Sequence, residues 1–320
     1  MYFGKKKVNV AKIEAQLLKA ARQYFDKNGF TEVVVPHIIR ATGACENIDT
    51  LFGLDYFGNQ AYLIQTGQLY LESLIPSLKN VYCIGSSFRA EPRIDDRHLT
   101  EFTLIEIELH CNFDELLDRI ENLLTEMILN VADNCKHELK ELGVPIERLY
   151  DIKGNFQRIS YSEAVERLSG AGHNLEWGDD LKSKHEKCLI EMNNNNPVFI
   201  THFPKAIKFF NMRENDNNQE IVNSADLCFP ISGEAVGAAE REYTYNSMVK
   251  RLKESPMLKQ LEARGGSIND FEWYLNLTKR KENIPHSGCG IGLNRVTQFV
   301  INSKDIRETT IFPMNKETLI

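Results

Sequence analysis

Val81-Tyr-Cys-Ile-Gly-Ser-Ser-Phe-Arg-Ala-Glu-Pro-Arg-Ile-Asp-Asp-Arg-His-Leu-Thr-Glu-Phe-Thr-Leu-Ile-Glu-Ile-Glu108 decides how the rest of the chain reads. Apolar residues dominate Val81–Phe88, and a run of charge follows: Arg89, Glu91, Arg93, Asp95, Asp96, Arg97 and His98. From Phe102 an alternation begins, with Phe102, Leu104 and Glu106 on one side and Thr103, Ile105 and Ile107 on the other. Period two predicts a strand, so the stretch reads as strand, charged loop, strand. Such a hairpin can hold a polyanion at its tip, because the planar guanidinium fork matches phosphate oxygens. Phe102 offers a face on which a base can stack. The same charge run also reads as a solvated hairpin tip.

Phe88-Arg-Ala-Glu91 followed by Arg97-His-Leu-Thr-Glu-Phe102 resembles the second signature motif of class II aminoacyl-tRNA synthetases, in the aspartyl and asparaginyl branch. Gly29-Phe-Thr-Glu-Val-Val-Val-Pro36 resembles the first motif, and Gly288-Cys-Gly-Ile-Gly-Leu-Asn-Arg295 the third. The motifs stand in the expected order, and the resemblance runs from about residue 9 to about residue 313. It implies an α+β fold, an antiparallel sheet flanked by helices with a helical insertion. The expected organisation is one catalytic domain over residues 1–320, with the insertion at about 113–196 and no anticodon-binding domain.

Composition sets few limits beyond this. The chain has 320 residues, 42% of them hydrophobic, enough for a large core. Its net charge of −7 gives no overall attraction to nucleic acid, although a local basic patch is compatible with it. The seven cysteines are scattered and contain no CxxC, which suggests neither a disulfide framework nor a zinc site. With no apolar leader and no apolar run of membrane-spanning length, a cytoplasmic protein without a membrane segment is expected.

Val10, Ile13, Leu17, Leu18, Ala21 and Phe25 fall at helical spacing and predict an amphipathic helix over residues 9–28. Thr31–Val35 reads as a strand ended by Pro36. In the family this helix and strand form the dimer interface, so a homodimer is expected. Residues 113–142 carry a long helical pattern, and Ser160-Tyr-Ser-Glu163 has the spacing of a capping box. Residues 170–196 read as a loop-rich surface insertion, and Val198-Phe-Ile-Thr201 as a short buried strand.

The resemblance also assigns a site. ATP would meet Arg89, Glu91, Arg97, His98, Phe102 and Arg295, with Arg89 and Arg295 as the catalytic charges. The amino acid would meet Glu46, Gln68, Glu72 and Arg241. Gln68-Leu-Tyr-Leu-Glu72 follows the asparaginyl pattern, where aspartyl enzymes carry a lysine at the place of Leu71. A glutamate there accepts from a carboxamide or an ammonium and repels a carboxylate. Asp226 and Glu234, eight residues apart, would hold Mg2+, which takes one or two carboxylates plus substrate phosphates.

Four positions depart from the family. The hairpin tip reads Asp95-Asp96 where threonine and arginine are usual, Met314 replaces an arginine, and Asn294 replaces a glutamate. Acids beside a phosphate oppose its binding. The expectation is therefore an AMP-forming ligase that activates aspartate and passes it to ammonia, as in synthetase-derived asparagine synthetases, with efficient charging of tRNA not expected. The alternatives are an asparaginyl-tRNA synthetase-like enzyme that activates asparagine for tRNA or another acceptor, and an inactive regulatory paralogue.

Overall fold

The computed structural model describes residues 4–41, 48–154, 156–279 and 283–318. Its centre is an eight-stranded sheet. The strands are β1 (Thr31–Glu32), β2 (Asn80–Phe88), β3 (Glu101–Leu109), β4 (Gln157–Ser160), β5 (Val198–Thr201), β6 (Ser224–Phe229), β7 (Gly233–Glu240) and β8 (Ser287–Gly292). Their spatial order is β1-β2-β3-β8-β7-β6-β5-β4. The six inner strands pair antiparallel, and only the edge pairs β1–β2 and β5–β4 run parallel. The expected α+β fold is the observed one.

β3 shows how the sheet divides the molecule. Ile105, Ile107 and Leu109 enter the principal core, while Phe102, Leu104, Glu106 and Glu108 face a cavity on the other side. The pleat sends alternate residues to opposite faces, so one strand serves both. The principal core lies under two long helices, α1 (Lys5–Lys27) and, after the short α2 (Gln68–Glu72), α3 (Phe113–Asn134). Val10, Ile13, Leu17, Ala21 and Phe25 line the buried side of α1, as their spacing predicts. Asn112 starts α3 with a full capping box, accepting from Glu115 N at 2.9 Å while Glu115 accepts from Asn112 N at 3.0 Å.

Two expectations change. The strand read over Thr31–Val35 shortens to Thr31–Glu32, because the chain leaves β2 after Val33 N donates to Tyr82 O at 2.8 Å. Val34 is then 95% exposed. Residues 170–196, read as loop, contain α5 (Ser183–Met192), which packs with α4 (Tyr161–Gly170) on β4 and β5 around a small core of its own. The polar residues that suggested a loop form the outer side of α5, while His185, Glu186, Leu189 and Ile190 are its buried side. The capping-box spacing at Ser160 is real at its first half: Ser160 Oγ accepts from Glu163 N at 3.1 Å. Among the described residues no helix is long and apolar enough to cross a membrane.

Leu17 is fully buried between α1 and the sheet. Leu17→Ala should cost about 2–5 kcal/mol of stability, read as a lower urea midpoint at an unchanged slope.

Candidate active site

The cavity on the second face of the sheet holds about 670 Å³. Its floor is a buried charge cluster assembled from distant segments. Arg241, just past the end of β7, donates from Nη2 to Glu108 Oε1 at 2.6 Å and from Nε at 3.0 Å. Its Nε also lies 3.9 Å from Glu72 Oε1. Glu72, on α2, accepts from Tyr274 OH at 2.6 Å and from Gln68 Nε2 at 2.7 Å. His286 Nε2 lies 3.2 Å from Glu72 Oε2, the oxygen that also accepts from Tyr274. All of these side chains are shut off from solvent: Gln68, Glu72, Glu108, Arg241, Tyr274 and His286 are buried.

The cluster sets its own protonation. Burial works against the charge on Glu72, but His286, Arg241 and Tyr274 outweigh it and hold the carboxyl below its usual range. Burial likewise opposes charge on His286, and Glu72 reverses this, raising the imidazole above its usual value. Glu108 goes the other way: burial, with Glu72 adding to it, raises its carboxyl to about 7 against the pull of Arg241. Glu106, beside it on β3, is raised by burial although Thr66 Oγ1 and Gly67 N donate to it.

Gly288 on β8 makes the floor possible. A Cβ there would lie 2.1 Å from the Glu108 carboxylate, so only a bare backbone lets that side chain cross the strand. Gly290 and Gly292 of the same strand line the cavity.

The hairpin tip between β2 and β3 forms one wall. Arg89 lies over the Phe102 ring, 5.1 Å from its centroid, and both line the cavity with Glu91. The loop is folded on Asp95. Its Oδ1 accepts from Arg97 N and His98 N, each at 2.9 Å, and His98 Nδ1 lies 2.8 Å from Oδ2. These contacts hold the Asp95 carboxyl below its usual range although burial opposes them. The loop also docks on the C-terminal segment, where Ile306 N donates to Asp96 O at 2.9 Å and Thr100 N to Met314 O at 2.9 Å. Asn294 ties the same parts together, accepting from Thr103 N at 3.3 Å and donating to Thr309 Oγ1 at 3.0 Å.

At the opposite wall a bulge at Ala235 shifts the β6–β7 register between Leu227 and Cys228. Asp226 and Glu234 both line the cavity there. Lys208 Nζ sits on both Asp226 oxygens, at 2.7 and 2.8 Å. Burial works to lower the Lys208 ammonium, but Asp226 and Glu234 outweigh it and raise it. Arg295, at the start of α6 (Leu293–Val300), is lowered to about 10 by burial and by neighbouring Arg97.

The cavity therefore gathers ten of the residues expected from sequence: Gln68, Arg89, Glu91, Arg97, His98, Phe102, Asp226, Glu234, Arg241 and Arg295. Glu72 stands one layer back and reaches the cavity through Gln68 and Arg241. Glu46 lies outside the described residues. The sequence reading missed Glu106, Glu108, Lys208, Glu186, Tyr274 and His286. Glu106 and Glu108 sat on the cavity side of the alternation already noted, and His286 leads directly into the third motif.

Comparison with known proteins agrees with this geometry. The profile of the tRNA synthetases class II (D, K and N) matches residues 2–316. The asparagine–tRNA ligase of Desulforamulus reducens is 38% identical over 306 residues, covering 95% of this chain and 68% of that protein. That of Pyrococcus abyssi is 37% identical with the same coverage. The crystal structure of asparaginyl-tRNA synthetase from Pyrococcus horikoshii complexed with asparaginyl-adenylate superposes with a TM-score of 0.90 at 35% identity, over 98% of this chain and 70% of that one. These relatives are by name ligases of asparagine to tRNA, which overturns the expectation that tRNA would not be an efficient partner. Of the two acids behind that expectation, Asp95 is engaged by the loop's backbone amides and by His98. The relatives likewise give no support to ammonia as the acceptor. A profile that spans the chain, and relatives above 35% identity across 95% of it, establish that this chain belongs to the class II tRNA synthetases of the D, K and N group, ligases that adenylate an amino acid.

Proposed function

We propose that this chain activates asparagine with ATP and transfers the asparaginyl group to tRNA. The observation that carries this is the floor of the cavity. Glu72 and Glu108 already stand there against Arg241 and His286. A carboxamide adds no charge to that set, whereas aspartate would bring a further buried carboxylate. With its amide NH2 turned onto Glu72, Gln68 has an acceptor, Oε1, left for a ligand's N–H donors.

In this reading the asparagine α-carboxylate attacks the α-phosphorus of ATP. The bond from that phosphorus to the bridging oxygen breaks, and pyrophosphate leaves with the electron pair. A tRNA hydroxyl then attacks the acyl carbon and AMP departs. The reaction uses no protein nucleophile, so the chain's part is positioning and charge stabilisation. Phe102 stacks on the adenine, Glu91 accepts from its amino group, and Arg89 meets the α-phosphate. Arg97, His98 and Arg295 face the outer phosphates. Asp226 and Glu234 would hold magnesium, whose chemistry there is to neutralise phosphate charge. Two cavity-lining carboxylates suit an ion that takes the rest of its ligands from phosphates. Lys208 Nζ donates to both oxygens of Asp226 and orients that carboxylate. The described chain acts as one catalytic unit, and α1 with its exposed Val8, together with the exposed Val34 and Ile38 of the following segment, forms a homodimer contact.

Pyrophosphate exchange should proceed with asparagine and at most weakly with aspartate, and asparagine should become acid-precipitable with tRNA. Exchange with aspartate alone would overturn the reading. The preference should also depend on pH. Below about 7 Glu108 takes up a proton and the cluster gains positive charge; as pH rises through about 7 Glu108 ionises. This ionisation makes the floor less hospitable to a carboxylate, so the asparagine-to-aspartate ratio in exchange should climb roughly tenfold between about pH 6 and pH 8.

Arg89→Ala should lower the exchange rate by about 10²–10³ with the fold intact by circular dichroism. Near-normal exchange would remove Arg89 from the α-phosphate.

Light scattering at micromolar concentration should give twice the chain mass, and Val34→Glu, at a position 95% exposed in the single chain, should return a monomer.

A further inference from the structure

Arg97 is held from outside its own hairpin. Its Nη2 donates to Glu186 Oε2 at 2.9 Å, and the same oxygen accepts from Glu234 N at 3.2 Å. One carboxylate of α5 thus ties the hairpin loop to the start of β7. Gly233 leaves the room for it: a Cβ there would lie 2.5 Å from Glu186 Oε2 and 2.7 Å from Arg97 Nη2. Gly233 also has φ +70°, a conformation that disfavours a side chain independently. The start of α5 is fixed in turn, since Lys182 N donates to His185 Nδ1 at 3.0 Å. Asp180, Leu181, Lys182, Ser183 and Glu186 all line the cavity.

The contact uses a small part of the guanidinium. Arg97 Nε is buried with no hydrogen-bond partner among the described residues. A guanidinium offers five N–H donors in a rigid fork. Anchoring one corner aims the others without consuming them. A lone carboxylate in a triphosphate pocket would repel its ligand, but Glu186 already has its charge set against Arg97. The pair presents directed donors at little net charge.

We infer that Glu186 is a positioning residue for the nucleotide, holding Arg97 in line with the outer phosphates of ATP. The segment at residues 180–186 is then a working wall of the nucleotide site. This rests on the ATP-binding reading above. It goes beyond that reading in giving α5 a part in telling a triphosphate from a monophosphate.

The test is calorimetric binding of ATP and of AMP to the wild type, Glu186→Gln, Arg97→Ala and the double variant. Glutamine keeps the shape of the side chain, and unchanged AMP affinity reports that the pocket is intact. Glu186→Gln should weaken ATP roughly tenfold and leave AMP within about twofold. On the Arg97→Ala background it should cause no further loss, since the two act as one unit. Unchanged or tighter ATP binding, equal losses for ATP and AMP, or additive losses in the double variant would each overturn the inference. A wild type that binds ATP but exchanges no pyrophosphate would strike the parent function alone, and one that binds no ATP would overturn both.

Discussion

A single buried guanidinium organises the second face of the sheet. Arg241 carries its charge where water does not reach, and such a charge is tolerated only with partners of good geometry. Glu108 supplies the close pair, and Glu72 extends it to Tyr274 and His286. The backbone joins in, with Arg241 N donating to His286 O at 2.9 Å. Segments near residues 72, 108, 241, 274 and 286 must therefore converge before any of them is satisfied. Removing one partner would strand the rest, at about 3–5 kcal/mol for a broken buried pair. The stability of the floor and its selectivity thus have one source.

The hairpin tip shows the same economy on a smaller scale. Net charge along the loop suggests repulsion of phosphate, but the structure distributes that charge inward. Asp95 accepts from two backbone amides and lies against His98, contacts that hold it ionised and turn its carboxylate into the loop. Arg307 is paired with Asp305 and also lies in the field of Asp95 and Asp96. Electrostatics at such a site follows which oxygen meets which donor, and a tally of acids along the sequence does not capture it.

The legible parts were those with a local pattern. The alternation of β3, the spacing of α1 and α3 and the three motifs fixed the layers and six cavity residues, and further stretches of the resemblance supplied Gln68, Asp226, Glu234 and Arg241. The rest depended on contacts that a linear reading does not contain. Tyr274 and His286 reach Glu72 across about two hundred positions, and nothing in their own neighbourhoods announces it. Glu106 and Glu108 sit on a strand where acids ordinarily mark a solvent side, yet that side is a protein floor. Glu186 was hidden because a polar segment reads as surface until the helix it forms is packed. Thr31–Val35 failed as a full strand because β-branched composition cannot say how many partners remain beside the sheet edge.

The crossing of Glu108 over Gly288 constrains how this pocket can drift over generations. Any other amino acid at 288 collides with the carboxylate, and any shortening at 108 removes the partner closest to Arg241. Neither position can change first without a loss, so a lineage moving toward a different substrate must pass through an impaired intermediate or alter both together. In an alignment of descendants the two positions should vary jointly or not at all.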